Sequence, residues 1–316
     1  MRAVRAVGIG GPEVLAPTEV ERPEPWLGEV LVRVVAAGVN PTDCKSRSGR
    51  GIPRTPPYIP GYDVSGVVEA VGLGVTRFAP GDEVLGMPWY PRPAGAYAEY
   101  VTAPSRQFIR NPAALSHVQA AGLPLAGLTA WQALIDTADL RPGQRVLVNG
   151  AAGGVGHLAT RLAAARGAQV TGTARAGKHQ FLYAHGVDRA VDYTAVDVGA
   201  AVRDMDVVLD AVGDGHDLLP TLRTGGTLIA VHPAEETVRR AERLGVRAVV
   251  VCTEPDHPGL AALAALAETG RLRVEVARTF PLALAEQAHR ALETGRTTGK
   301  IVLMVGPPAP RTGDAA

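Results

Sequence analysis

Two cysteines in 316 residues, Cys44 and Cys252, leave no material for a disulfide framework or a thiolate zinc cage. Aromatic residues are scarce too, at 4%, so each Trp, Tyr and Phe is a landmark. Lysine occurs only at 45, 178 and 300, and Arg supplies the other basic positions. That bias fits a GC-rich bacterial coding sequence and says little about function. Neither sign of charge predominates: 32 Lys+Arg against 31 Asp+Glu leave +1, which argues against nucleic acid as a partner. No apolar run approaches the ~18 residues of a membrane span. The start, Met1–Val7, is too short and too charged for a secretion signal. A soluble, cytoplasmic protein is the expectation. What is abundant is Gly (37) and Pro (25), below the ~25–30% that marks low complexity. With 46% hydrophobic residues, the length suits two domains.

The first 112 residues read as short strands broken by Gly and Pro. Glu29–Ala37 alternates and is β-branched, Val64–Val71 is a second such run, and Glu83–Leu85 and Tyr97–Ala103 follow. Crowded strands with little helical period predict a barrel-like β domain. From about 113 the texture changes. Ser116 caps a helix that Pro124 should kink or divide. Strands at Arg145–Asn149, Gln169–Ala174, Arg189–Val191, Val207–Asp210, Thr227–Val231 and Arg247–Cys252 then alternate with helices such as Gly154–Arg166 and Lys178–His185. This alternation predicts an α/β, doubly wound parallel sheet over residues 113–272. After the helix Gly259–Thr269, β character returns at Val274–Ala277. A helix over Leu282–Glu293 and a last strand Lys300–Val305 should rejoin the β domain, making it discontinuous (1–112 and 273–316). The tail Gly306–Ala316, rich in Pro, is expected to be loosely held.

The sharpest local motif is a strand, a glycine turn and a helix: Arg145–Asn149, Gly150–Gly156 and the run from His157. Ala151, Gly153 and Gly156 occupy the three glycine positions of a dinucleotide fingerprint. Backbone N–H groups around Ala152, Gly153, Gly154 and Val155 would meet a pyrophosphate at the positive helix N-terminus, and Gly156 would let the helix pack against the strand. NAD sites place Asp or Glu at the end of the second strand. Here the chain reads Thr173-Ala174-Arg175-Ala176-Gly177-Lys178, with no acid. Arg175 and Lys178 could instead clamp a 2′-phosphate, so NADPH is the favoured cofactor; two solvated basic residues are the plain alternative.

Five stretches carry a wider likeness: Gly38–Asp43 (GVNPTD), Pro60–Gly66 (PGYDVSG), Gly95–Tyr100 (GAYAEY), Ala151–Gly156 and Gly299–Leu303 (GKIVL). Their order and spacing, over residues 1–305, resemble the medium-chain dehydrogenase/reductase superfamily, and within it the zinc-free quinone oxidoreductases related to zeta-crystallin. The resemblance implies a GroES-like β-barrel domain plus a Rossmann domain, with the active site in the cleft between them. It implies reduction of a quinone or another α,β-unsaturated carbonyl by NADPH. Zinc-dependent relatives carry a Cys ligand where this chain has Asn40 and a His ligand where it has Tyr62, both poor zinc donors. No metal is therefore expected.

Without a Lewis acid, an oxyanion formed on the substrate needs hydrogen-bond donors. Asn40 and Tyr62 are the candidate catalytic donors, although Asn before Pro41 also suits a turn and Tyr62 also suits a core. Asp43 reads as a buttress for the loop, and the lone Cys44 as packed. Lys45 stands where relatives carry an aromatic near the substrate. Asn40 is also a candidate cofactor contact; by resemblance, Thr129 lies beside the nicotinamide, Tyr193 near the adenosine phosphate, and Val212, Gly213 and Ala230-Val231-His232 along the cofactor. Lys300 reads either as a phosphate contact or as a surface residue opening a strand. Arg247–Cys252 should be the sixth strand, at a sheet edge, with Val249, Val250 and Val251 carrying no protective charge. Pairing of two such edges predicts a homodimer; a loop or the tail covering the edge is the alternative. Two other function classes stay open, an enoyl-thioester or alkenal reductase, which Arg296–Lys300 also resembles, and a non-catalytic NADPH-binding protein.

Overall fold

The computed structural model of the chain describes residues 1–306 apart from 214, 232 and 233. His232 and the tail from 307 lie outside the described residues. The chain divides into two compact units, one of Met1–Leu125, Glu254–Glu268 and the chain from Val274 onward, the other of Ala126–Thr253 and Thr269–Arg273. Leu125 ends the first stretch, and Glu254–Glu268 groups with the first unit.

The first unit opens with β1 (Arg2–Ala6), β2 (Leu15–Glu19), β3 (Glu29–Val39), helix α1 (Pro41–Arg47), β4 (Asp63–Val71), β5 (Glu83–Gly86), β6 (Tyr100–Pro104) and β7 (Phe108–Arg110). Two helices follow, α2 (His117–Ala121) and α3 (Pro124–Trp131), separated before Pro124 as its missing N–H dictates. Ser116 Oγ accepts from Gln119 N at 3.3 Å and caps α2. The second unit holds β8 (Arg145–Asn149), α4 (Gly154–Ala165), β9 (Gln169–Thr173), α5 (His179–Ala184), β10 (Arg189–Val191), α6 (Val198–Ala201), β11 (Met205–Asp210), β12 (Leu222–Ala230), α7 (Glu235–Arg243) and β13 (Arg247–Val250). The chain then adds α8 (His257–Glu268), β14 (Val276–Pro281), α9 (Ala285–Glu293) and β15 (Lys300–Met304).

In the second unit every strand pair is parallel, in the order β10-β9-β8-β11-β12-β13. That is the doubly wound order 3-2-1-4-5-6, whose ligand crevice opens beyond the carboxyl ends of β8 and β11, where the order reverses. Val146, Leu147 and Val148 are all buried because helices cover both faces, which explains why β8 reads as a continuous apolar run. β13 is an edge strand, as expected, but it ends at Val250, and Val250 is 56% exposed.

In the first unit β3 is the organising strand. One side pairs with β4 along most of its length, while the other is shared: Glu29–Arg33 pair with β6 and Ala36–Val39 with β15. This sharing bends the sheet toward a barrel whose core is built from Val32, Val34, Val64, Val84, Tyr97, Phe108 and Leu303. The β14 strand begins at Val276, two residues beyond its expected start, and the helix expected over Leu282–Glu293 begins at Ala285 after a 3₁₀ turn.

Candidate active site

In the first unit, helix α1 carries a group of candidate residues. Asn40 is its N-cap and Pro41 its first residue, where a missing N–H costs nothing. Asp43 Oδ2 accepts from Asn40 N at 2.8 Å and its Oδ1 from Gly61 N at 3.2 Å, so one carboxylate ties the α1 turn to the turn before β4. Asp43 is the buttress the sequence suggested. Burial, with Asp63 adding to it and the Asn40 N–H opposing, pushes its carboxyl up to about 7.

The Asn40 side chain is not a free donor. Its Nδ2 gives a 2.9 Å hydrogen bond to Asp63 Oδ2 and its Oδ1 accepts from Lys300 Nζ, which also lies 3.3 Å from Asp63 Oδ2. Asp63 Oδ1 accepts from Leu125 N at 2.7 Å. Asn40, Asp63 and Lys300 are 3%, 0% and 3% exposed. Lys300 is therefore not a surface residue; β15 carries it into a buried ion pair. Three residues from distant parts of the sequence are joined here, and no local pattern around Lys300 reveals it.

Tyr62 is buried, and its hydroxyl accepts from Arg54 Nη2, a partner the sequence did not flag. Burial raises the Tyr62 hydroxyl above the usual phenol range against the pull of Arg54. The Tyr62 ring meets Tyr90 edge-to-face at 4.9 Å, and Arg54 also bonds Pro91 O. Tyr90 and Pro91 line a groove of about 700 Å³ with Arg77, Arg106 and His257. Glu254 and Asp256 line it too, so both signs of charge face it. Behind Asp43, the Tyr97 hydroxyl lies 3.4 Å from Asp43 Oδ2 and 3.1 Å from His289 Nε2. Burial, then Arg47, drives the His289 imidazole down to about 3. Cys44 is buried as expected, and burial raises its thiol.

In the second unit, the glycine turn lies at the carboxyl ends of β8, β9 and β11. Gly150 has φ +74°, and a Cβ at Gly156 would sit 2.2 Å from Gly150 O, so this contact requires glycine. Gly153 is the N-cap of α4. The N–H groups of Gly154, Val155 and Gly156 belong to the first turn, which a helix leaves for an external acceptor. Ala152 is buried beneath the turn. Three polar side chains missed in the sequence hold this loop. Thr173 Oγ1 donates to Asn149 Oδ1 at 2.6 Å and accepts from Gly150 N at 3.0 Å. Asn149 Nδ2 donates to Asp210 Oδ1 at 2.9 Å, which also accepts the Val212 and Gly213 N–H groups at 2.9 and 3.0 Å. Val212 and Gly213 are thus held on the loop after β11, with the Val212 side chain exposed, and Val231 directly follows β12.

Arg175 Nε lies 3.2 Å from the Tyr193 hydroxyl, which brings together two of the residues expected at the adenosine end. Lys178 follows in the same 3₁₀ turn, and burial lowers its ammonium. Asp192 also reaches this loop, from the end of β10, but its oxygens are engaged by Ala176 N and by Thr194. Thr129 Oγ1 bonds Thr253 Oγ1 at 2.8 Å. The α4 turn offers N–H donors, and Arg175 and Lys178 are basic side chains on the neighbouring loop.

Residues 27–113 match the alcohol dehydrogenase GroES-like domain family, and residues 185–303 the family described as zinc-binding dehydrogenase. The quinone oxidoreductase of Mus musculus is 32% identical over 329 residues, covering 96% of this chain and 98% of the mouse protein. The chain belongs to the medium-chain dehydrogenase/reductase superfamily. Among solved members, a quinone oxidoreductase from Coxiella burnetii superposes with a TM-score of 0.92 at 36% identity, covering 97% of this chain and 99% of that one. The Escherichia coli quinone oxidoreductase complexed with NADPH gives 0.88 at 28% identity, covering 96% and 100%. This member of the superfamily is an oxidoreductase, with the GroES-like and Rossmann-type folds both present. Among the described residues, no cluster of three or more His, Cys, Asp or Glu could hold a metal ion. Among the same residues, no helix is long and apolar enough to cross a membrane.

Proposed function

We propose that this protein reduces a quinone or another α,β-unsaturated carbonyl with NADPH, without zinc, as a cytoplasmic homodimer joined through β13. The observation that carries the activity is the full-length likeness to proteins named quinone oxidoreductase, one of them solved with NADPH. The donor set supports zinc independence, since a carboxamide and a phenol stand at Asn40 and Tyr62 and the carboxamide is committed to Asp63 and Lys300. NADPH over NADH is supported by Arg175, Lys178 and Tyr193 together at a loop where Asp192 is already satisfied.

In this reading Gly153, Gly154 and Val155 hold the pyrophosphate, Arg175, Lys178 and Tyr193 the adenosine phosphate, and Thr129, Val212, Gly213 and Val231 line the remainder of the cofactor. The bound cofactor supplies a hydride. Asn40, fixed by Asp63 and Lys300, keeps the α1 turn in one conformation. Tyr62, oriented by Arg54, donates its hydroxyl proton toward the oxyanion that hydride addition leaves on the substrate.

A second reading, reduction of an enoyl thioester, draws on the groove lined by Arg77 and Arg106, where a phosphate-bearing carrier arm would find cations. One experiment separates the two: NADPH oxidation followed side by side with quinones, enones and enoyl thioesters. Turnover confined to the thioesters overturns the first reading. Tight NADPH binding with no turnover of any of them overturns both.

A further inference from the structure

A cavity of about 10 Å³ lies against Asp43, walled by α1 and the stretch from Tyr58 to Tyr62. That is room for one water molecule, which needs about 10–15 Å³ and two to four polar partners. Ser46 Oγ and Tyr58 Oη are buried, belong to the lining, and have no hydrogen-bond partner among the described residues. Buried hydroxyls are rarely left this way, because the lost hydration is not repaid. Asp43 supplies a third polar group, and Arg54 and Tyr62, bonded to each other, complete the polar wall. On their far side Tyr62 and Arg54 touch Tyr90 and Pro91, which line the large groove. A chain of polar groups therefore runs from His289 through Tyr97, Asp43 and the small cavity to Tyr62.

We propose that this cavity binds one ordered water, held by Ser46 and Tyr58, that passes the proton of Asp43 to Tyr62, making Asp43 the proton reservoir of the reduction. The proposal rests on the reductase reading above. Hydride addition leaves an oxyanion on the substrate; the Tyr62 O–H bond breaks as the substrate O–H bond forms. The Tyr62 oxygen then takes a proton from the water, and the water takes one from the Asp43 carboxylic acid. The Asp43 carboxylate regains a proton from solvent before the next turnover, and no electrons move in these steps.

The charge environment suits a carboxyl that cycles near neutral pH. Asp63 and Lys300 face Asp43 from β4 and β15, and Cys44 and Arg47 from its own helix. Glu293 and His289 come from α9, the first paired to Arg47 and the second bonded to Tyr97. Tyr58, Tyr62 and Arg54 complete the set. Burial outweighs Lys300 and keeps the acid form available up to about pH 7.

The test combines a high-resolution crystal structure of the protein with pH–rate profiles of wild type, Ser46→Ala, Tyr58→Phe and Asp43→Asn. Density for a water between Ser46 Oγ, Tyr58 Oη and Asp43 is expected. Wild-type kcat should fall as pH rises through about 7, because the acid form is the donor. Asp43→Asn should lose that limb and on the order of 10²-fold in kcat, with the KM for NADPH unchanged. Tyr58→Phe and Ser46→Ala, which keep every charge, should each lower kcat about tenfold, less than the loss of an acid outright. A dry cavity, or full kcat in both hydroxyl variants, overturns the relay alone, and these readouts remain if Asp43→Asn does not fold. Absence of any quinone or enone turnover by wild type overturns the reductase reading and the relay with it.

Discussion

Replacing Lys300 by Met isolates the energetics of the buried Asn40–Asp63–Lys300 group. Lys300 Nζ stands 3.3 Å from Asp63 Oδ2, and at an effective dielectric near 20 two unit charges at that distance attract by about 5 kcal/mol. Taking each ion out of water costs several kcal/mol, so the intact pair is close to break-even. The single substitution upsets that balance: Asp63 stays fully buried with only the Asn40 amide and the Leu125 N–H facing it. Lys300→Met should therefore lose about 3–5 kcal/mol of stability. In the double variant Lys300→Met/Asp63→Asn no charge remains. Asn40, freed of the lysine, can flip to accept from the new amide, while the retained oxygen still accepts from Leu125 N. The double variant should recover about 2 kcal/mol or more of the loss. Denaturant unfolding followed by tryptophan fluorescence reads both, since Trp89 is fixed in the same unit by its 2.8 Å bond to Thr102 O. A single-variant loss under about 1 kcal/mol, or a double variant equal to the sum of the singles, would refute the reasoning.

Five further outcomes are expected. Arg175→Ala/Lys178→Ala should weaken NADPH by ~2–4 kcal/mol and leave NADH little changed, checked by titrating both cofactors; equal wild-type affinities would count against the assignment. Val250→Lys should convert a dimer to monomers by light scattering without loss of NADPH binding, and a wild-type mass of one chain would dispose of the dimer. Because the Asp43 carboxyl is raised from 3.8 to about 7, its contribution to stability is full below pH 3.8 and lost as pH rises through about 7. The stability gap between wild type and Asp43→Asn should accordingly narrow over that window; parallel melting profiles would contradict it. His289 works oppositely, its contribution present above 6.5 and lost as pH falls through about 3. Finally, chelators should leave turnover unchanged, and elemental analysis should find no stoichiometric zinc.

The second unit was legible because its signals are local. Continuous apolar strands and Gly156 against Gly150 each depend on a few neighbouring residues, as does the division of the helix at Pro124 in the first unit. The edge position of β13 followed from strand order alone. What escaped was set by long-range partners. Lys300 opens a strand in a way that resembles any surface lysine, and only Asn40 and Asp63, 260 and 237 residues away, make its burial tolerable. Asn149, Thr173 and Asp210 sit at the ends of three different strands, so their convergence needs the sheet. Arg54 lies in a Pro-rich turn with no periodic signal, yet it orients Tyr62.

The late arrival of β15 shapes how the chain is made. Strand β3 emerges early, but its Ala36–Val39 edge is paired only by Ile301–Met304. At ~5–20 residues per second, the intervening 260 residues take a ribosome roughly 13–50 s. Throughout that interval the nascent barrel carries an open apolar strand edge, and Asp63 and Asn40 have no lysine. The second unit can fold meanwhile from local parallel crossovers, whereas the first closes only once β15 has been synthesised. The protein's window of exposure to chaperones and to misassociation is thus set by the place of one short strand in the gene order of the fold.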